Sequence, residues 1–137
     1  MKETLRLYPS VPGIPRRTAR ACEIAGVEAP AGTMVWLISP FLHRLPEYWT
    51  RPDDFDPDRF SDERAEHKRH PFLYIPFGGD MHTCLGMQLS ILQARSILHP
   101  LLLRYRLHLP PGYQMRMKIF PFARPVDDLP VRLERIS

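Results

Sequence analysis

The chain has only two cysteines in 137 residues, Cys22 and Cys84, far apart and without a CxxC spacing. That argues against a disulfide framework or a structural zinc site and fits a reducing compartment. No apolar run approaches the roughly 20 residues that a membrane span needs. The first residues, with Lys2, Glu3 and Arg6, are too polar for a signal peptide. No Lys/Arg tract interleaved with aromatics points to nucleic acid. The net charge of +4 reads as a solvated basic face, or as a surplus suited to an acidic partner or a dianionic cofactor. No internal repeat is visible.

Proline, by contrast, is abundant. Sixteen are spread along the chain, which implies a loop-rich fold with few long elements. The length suffices for one domain with a real core. Residues 2–7 read as the end of a helix stopped by Pro9. Residues 16–39 read as short strands, with turns at Gly26 and at Pro30 to Gly32. Within them, residues 33–38 are almost continuously apolar, as in a strand buried on both faces, with Trp36 in the core. A short helix is expected around residues 40–44. Residues 45–76 are mostly irregular, and the charged run 61–70 reads as a solvated surface loop. Residues 85–105 carry Leu85, Leu89, Leu92, Ile97, Leu101 and Leu102 at roughly helical spacing. Pro100 predicts a bend or an early end near Leu98. The tail reads as short strands at 106–109, 113–119 and 131–134. Cys22 reads as a small core residue. His43, His67, His70, His99 and His108 show no metal-ligand spacing and read as surface residues, and Trp49 reads as packing of the irregular segment.

The most informative stretch runs from Phe77 through Gly78, Gly79, Asp80, His82, Cys84 and Gly86. A cysteine that follows a Gly-rich loop and opens an apolar helix is placed among free N–H groups and a positive partial charge. Both favour an ionised sulfur and suit a thiolate ligand. The residues alone equally admit a reduced core thiol. Two further signals precede it. Glu3 and Arg6 stand three apart on one helical face, and Phe55 and Phe60 flank a proline turn that carries Arg59.

In this order and spacing the three signals resemble the C-terminal half of the cytochrome P450 superfamily of haem-thiolate monooxygenases. The resemblance covers essentially the whole chain and implies an α+β fold. It implies an ExxR helix end at 1–8, a β region at 15–39, a meander at 45–76 and a cysteine loop at 77–86. A proximal helix at 85–105 and a C-terminal β region with a hairpin at 106–137 would follow. Glu3, Arg6 and Arg59 would form a buried charged triad that holds the meander. Cys84 would be the axial ligand of haem b iron, Phe77 its shield from water, and Gly78 and Gly86 sites of close approach. His82 would reach a haem propionate (or stay an exposed loop residue), and Arg16 would pair with a propionate. Asp80 departs from the family's glycine. It tolerates a left-handed backbone better than most residues, and Gly79 is expected to absorb strain. Its charge should weaken haem retention. Val11, Ile14 and Phe122 would line the substrate site.

The resemblance begins at residue 1, whereas the family has a longer upstream part that carries the distal acid–alcohol pair. The chain is thus expected to hold the proximal haem-binding half, with no catalytic residue of its own and no turnover alone. The whole enzyme would insert one atom of O₂ into a small organic substrate. It would take electrons from a ferredoxin-like or flavoprotein partner, and its bacterial-style short loops suggest a soluble cytoplasmic protein. Two alternatives stand beside this: a non-catalytic haem-binding fragment or module, and a peroxygenase or isomerase on the same thiolate site.

Overall fold

Glu3 in the first turn and Arg6 in the last complement the helix dipole, and α1 spans Lys2–Leu7 before the chain turns at Tyr8 and Pro9. A helix this short is marginal by itself; tertiary contacts hold it, because Glu3, Arg6 and Leu7 are buried. The computed structural model describes residues 1–136. They divide into two units, Met1–Pro76 with Phe120–Phe122, and Phe77–Ile119 with the C-terminal residues from Ala123 on.

In the first unit, β1 (Gly13–Arg17) pairs antiparallel with β4 (Met34–Ile38), from Gly13 opposite Ile38 to Arg17 opposite Met34. Trp36 lies across Gly13, where an added Cβ would come within 3.0 Å of the indole. Between these strands, β2 (Cys22–Ile24) and β3 (Val27–Ala29) form a second hairpin. Its turn residues Ala25 and Gly26 both have positive φ, 50° and 82°, the conformation a two-residue hairpin turn needs. Helix α2 (Ser39–Leu42) opens with Pro40 in its first turn, where a missing N–H costs nothing. The chain then runs irregularly, interrupted by 3-10 turns at Pro57–Phe60 and Glu66–Lys68. The centre of this unit is ionic as much as apolar. Around Leu7, Trp49, Leu73 and Ile75 are buried Glu3, Arg6, Ser39, His43, Arg59 and Glu66.

The second unit holds a 3-10 turn at Asp80–His82 and the long α3, Met87–Arg104. After them β5 (Tyr105–His108) pairs with β8 (Arg132–Arg135), and β6 (Met117–Lys118) with β7 (Arg124–Pro125). The mixture of helices with small antiparallel sheets is α+β.

Several expectations fail here for physical reasons. The apolar strand β4 is not buried on both faces; it sits in a two-stranded sheet, and Trp36 is 49% exposed. Cys22 is exposed rather than core. Helix α3 begins at Met87, not Leu85, and does not end near Leu98. Pro100 removes one backbone donor, and the good helix formers Leu101, Leu102, Leu103 and Arg104 carry the ladder past it. The run 61–70 is not merely a solvated loop, because Glu66 in it is buried. His43 is fully buried and His67 half-buried against Phe60.

Candidate functional site: a buried ionic network and a cysteine loop

Three turns of sequence logic meet in the first unit. Arg6 grips Glu3 bidentately, Nε to Oε2 and Nη2 to Oε1, both at 2.7 Å. The spacing of three puts them on one face of α1, and the planar guanidinium matches the carboxylate. Its other donors go to carbonyls of the irregular segment: Nη1 to His43 and Pro52, at 2.8 and 2.6 Å, and Nη2 to Asp54 at 3.0 Å. Arg59 enters from the 3-10 turn Pro57–Phe60. Its Nε donates to Glu3 Oε1 at 3.1 Å, and its Nη1 to Glu66 Oε2 at 2.8 Å and to Thr50 O at 2.7 Å. Its Nη2 donates to the carbonyls of Arg51 and Asp54. Every N–H of both guanidinium groups therefore has an acceptor, which lets two cations stay fully buried.

Glu66 is the member that the sequence reading missed. Its Oε2 also accepts from the Thr50 N–H at 3.1 Å, and its Oε1 from Arg64 Nη2 at 2.7 Å. Burial opposes the charge on Glu3. Yet the Arg6 hydrogen bonds, the Asp56 N–H and the Arg6 and Arg59 charges hold its carboxyl below the usual carboxylate range. Burial likewise opposes ionisation of Glu66; Arg64, the Thr50 N–H and Arg59 outweigh it. The network is a staple: its side chains bind a stretch with no regular ladder to α1.

His43 lies beside it. Its Nε2 accepts from the Ile75 N–H at 3.0 Å, so the proton sits on Nδ1 and is donated to the Arg6 carbonyl at 3.0 Å. Burial, with the Arg6 and Arg44 charges, lowers its pKa to about 4.

The second unit carries the cysteine loop. The Cys84 N–H donates to Phe77 O at 2.8 Å and closes it. Gly78 has φ +79°, and a Cβ there would stand 2.7 Å from the His82 carbonyl oxygen; only glycine fits. Asp80 itself takes φ +53°, while Gly79 is extended at −155°. The expectation that Gly79 absorbs the strain is therefore overturned: Asp80 adopts the left-handed conformation in place of a glycine. The Cys84 thiol is exposed, and so are His82 and Gly86, while Phe77 and Gly78 are half-buried. Cys84 precedes the Gly86 N-cap of α3 by two residues. Among the described residues no protein acceptor meets the N–H groups of Leu85 and Gly86. At Gly86 a Cβ would meet only the Cys84 sulfur, at an ordinary 3.8 Å. Nothing within the chain thus demands glycine there, and the exposed sulfur beside it is open to a flat ligand.

The remaining candidates lie in the first unit. Arg16 is half-buried on β1, and its Nη1 donates to the Pro15 carbonyl at 2.9 Å. Ile14 is half-buried, and Val11 and Phe122 are exposed.

The family model for cytochrome P450 matches residues 1–129. The chain belongs to the cytochrome P450 family. It is 45% identical over 134 residues to a Mycobacterium tuberculosis protein described as cytochrome P450 136, covering 97% of this chain and 27% of that one. To the thromboxane-A synthase of Sus scrofa it is 38% identical over 119 residues, covering 87% and 22%. The P450 chain thus spans about a quarter of the length of these curated relatives. Among solved structures, retinoic acid-bound cyanobacterial CYP120A1 superposes with a TM-score of 0.92 at 31% identity, over 98% of this chain and 31% of that chain. The heme domain of cytochrome P450DA gives 0.90 at 32% identity, over 99% and 30%. Members of the family bind haem, which makes the cysteine loop the place to look for it.

Proposed function

We propose that this chain forms the proximal, haem-binding portion of a haem-thiolate monooxygenase, with Cys84 as the axial ligand of haem b iron. The observation that carries the reading is the loop itself. It is closed by the Cys84 N–H on Phe77 O, requires glycine at 78, and presents an exposed thiol beside a glycine that the protein alone does not need. A lone sulfur donor with open space around it fits a metal that arrives in its own equatorial ring. Bound to a thiolate, haem supplies an iron centre whose electron-rich axial ligand favours O–O cleavage.

The chain's own residues would do the following. Cys84 would supply the sulfur that holds the iron. The N–H groups of Leu85 and Gly86 are available to hold negative charge on the sulfur. Phe77 limits water at the ligand. His82 is the cation that the cysteine loop itself would offer a propionate, and Arg16 on β1 is a candidate propionate partner by the family resemblance alone. Val11, Ile14 and Phe122 offer apolar surface to a small organic substrate. The ionic staple keeps the meander in place and takes no part in the chemistry. The basic surplus suits an acidic electron donor, ferredoxin-like or flavoprotein. A second reading keeps the same thiolate site and changes the reaction to that of a peroxygenase or an isomerase.

The test is reconstitution with haem, reduction, and a carbon monoxide difference spectrum. A red-shifted, thiolate-type Soret band that is lost in Cys84→Ser is the expected result. Absence of the band, with Cys84 freely alkylated in the presence of haem, would overturn the assignment. Supplying peroxide in place of O₂ and a reductase to a holoprotein separates a peroxygenase from a monooxygenase.

A further inference from the structure

His43 lends its carbonyl to the ionic staple, but neither the staple nor the cysteine loop uses its buried ring. It joins two segments far apart in sequence, the end of α1 through the Arg6 carbonyl and residue 75 through the Ile75 N–H. Both bonds fix one state. Ile75 is a donor, so Nε2 must be an unprotonated acceptor, and Nδ1 must carry the only ring proton. A second proton, on Nε2, would point at the Ile75 N–H and break that bond.

Among the described residues, no anion contacts the ring to accept such a charge. From α1, Arg6 faces the ring, and its guanidinium already donates to the His43 carbonyl at 2.8 Å. Arg44, the next residue, donates to the Leu7 carbonyl at 2.9 Å. From the far segment Tyr74 lies 5.4 Å away, centroid to centroid, as a neutral ring. Glu3, the buried carboxylate on α1, is taken by Arg6 and Arg59. Burial and the two cations both act against protonation in the folded state.

We propose that His43 is a positioning residue that works only when neutral: it anchors Ile75, two residues before the cysteine loop starts at Phe77, and acid releases that anchor. The part of the claim that concerns the cysteine loop rests on the haem-thiolate reading; the anchor itself does not.

The experiment is amide hydrogen exchange at Ile75 in the intact protein between pH 7 and pH 5, corrected for intrinsic rates. A histidine near 6.5 when exposed and about 4 when anchored predicts that the opening constant rises roughly 20-fold over this range. His43→Gln keeps an acceptor for Ile75 without a titrating ring, and its profile should be flat. His43→Asn can still donate towards Arg6 but falls short of Ile75, and protection there should be lost at every pH. A flat wild-type profile overturns the proposal and needs no variant, and so does a wild-type pH dependence that persists in His43→Gln. With haem bound, the thiolate–carbon monoxide band should hold between pH 7 and pH 5 and weaken only as pH falls towards 4 in wild type, and should persist to lower pH in His43→Gln. A protein that never forms the band sinks the haem reading, while the Ile75 profile still decides the anchor.

Discussion

Replacing Glu66 tests whether the ionic staple is a stabilising device or a decoration. Glu66 is 1% exposed. Its carboxylate accepts from Arg59 Nη1 at 2.8 Å, from the Thr50 N–H at 3.1 Å and from Arg64 Nη2 at 2.7 Å. Glu66→Ala leaves the Thr50 N–H without a partner and takes away one of the two carboxylates that offset the buried Arg59 charge; the Arg64 contact, partly open to solvent, adds little. Breaking a buried pair in this way costs about 3–5 kcal/mol, a large share of a typical domain's stability of about 5–15 kcal/mol. Glu66→Gln keeps an acceptor for Arg59 and Thr50 but makes those bonds neutral, and should cost about 1–2 kcal/mol. The assay is urea unfolding followed by Trp49 fluorescence, because Trp49 lies in this core with Arg6 5.2 Å from its ring. With a slope of about 2 kcal/mol/M, the midpoint should fall by roughly 2 M for the alanine variant and by under about 1 M for glutamine. A double replacement by apolar residues, Arg59→Met with Glu66→Leu, should do less harm than either single change, although it forfeits the bond to Glu3. An alanine variant that unfolds within a few tenths of a molar of wild type would refute the reasoning.

Three further outcomes follow from the same geometry. Gly78→Ala should cost at least about 1 kcal/mol and lower haem occupancy, because the methyl group meets the His82 carbonyl at 2.7 Å and φ stays positive; occupancy is read from the Soret absorbance per mole of protein. Asp80→Gly relieves a left-handed aspartate at φ +53° and removes a negative charge from the loop. It should raise haem occupancy in the same measurement, and no change would refute that. Glu3 and Glu66 both titrate below their ordinary value in the folded state. Their contribution is therefore complete above about pH 4.5 and is lost as pH falls further. Urea midpoints measured from pH 6 to pH 3 should decline below about 4.5 in wild type, and less steeply in Glu66→Gln.

What could be read from the sequence followed a physical rule about distance along the chain. The Glu3–Arg6 pair is a local spacing on one helix, and Gly26 and Gly32 are turn chemistry; both are visible from neighbouring residues. The family resemblance extended this to Arg59, which no local pattern connects to Glu3. Where neither applied, hydrophobicity misled. Residues 33–38 look like a buried strand, yet β4 has one partner strand and Trp36 stays half-open. The run 61–70 looks solvated because charge is normally exposed, yet Glu66 is buried by two arginines that approach from positions 59 and 64.

Burial of charge here depends on satisfying every donor, and donors are satisfied largely by carbonyls. Arg6 and Arg59 use the carbonyls of His43, Thr50, Arg51, Pro52 and Asp54, groups that every residue has and no side-chain pattern reports. An irregular segment has free carbonyls because it forms no ladder. Its lack of secondary structure is therefore what makes it able to solvate two buried guanidinium groups, and they in turn hold it in one shape. The prolines that break regular structure at positions 46, 52 and 57 belong to the same design, and Pro52 spends its carbonyl on Arg6. Apart from His43, whose ring makes bonds of its own, substituting any one of these carbonyl-bearing residues should be tolerated when the backbone path is kept, whereas losing either arginine should not. Position by position, that inverts the expectation that the residues of a loop matter less than its helix.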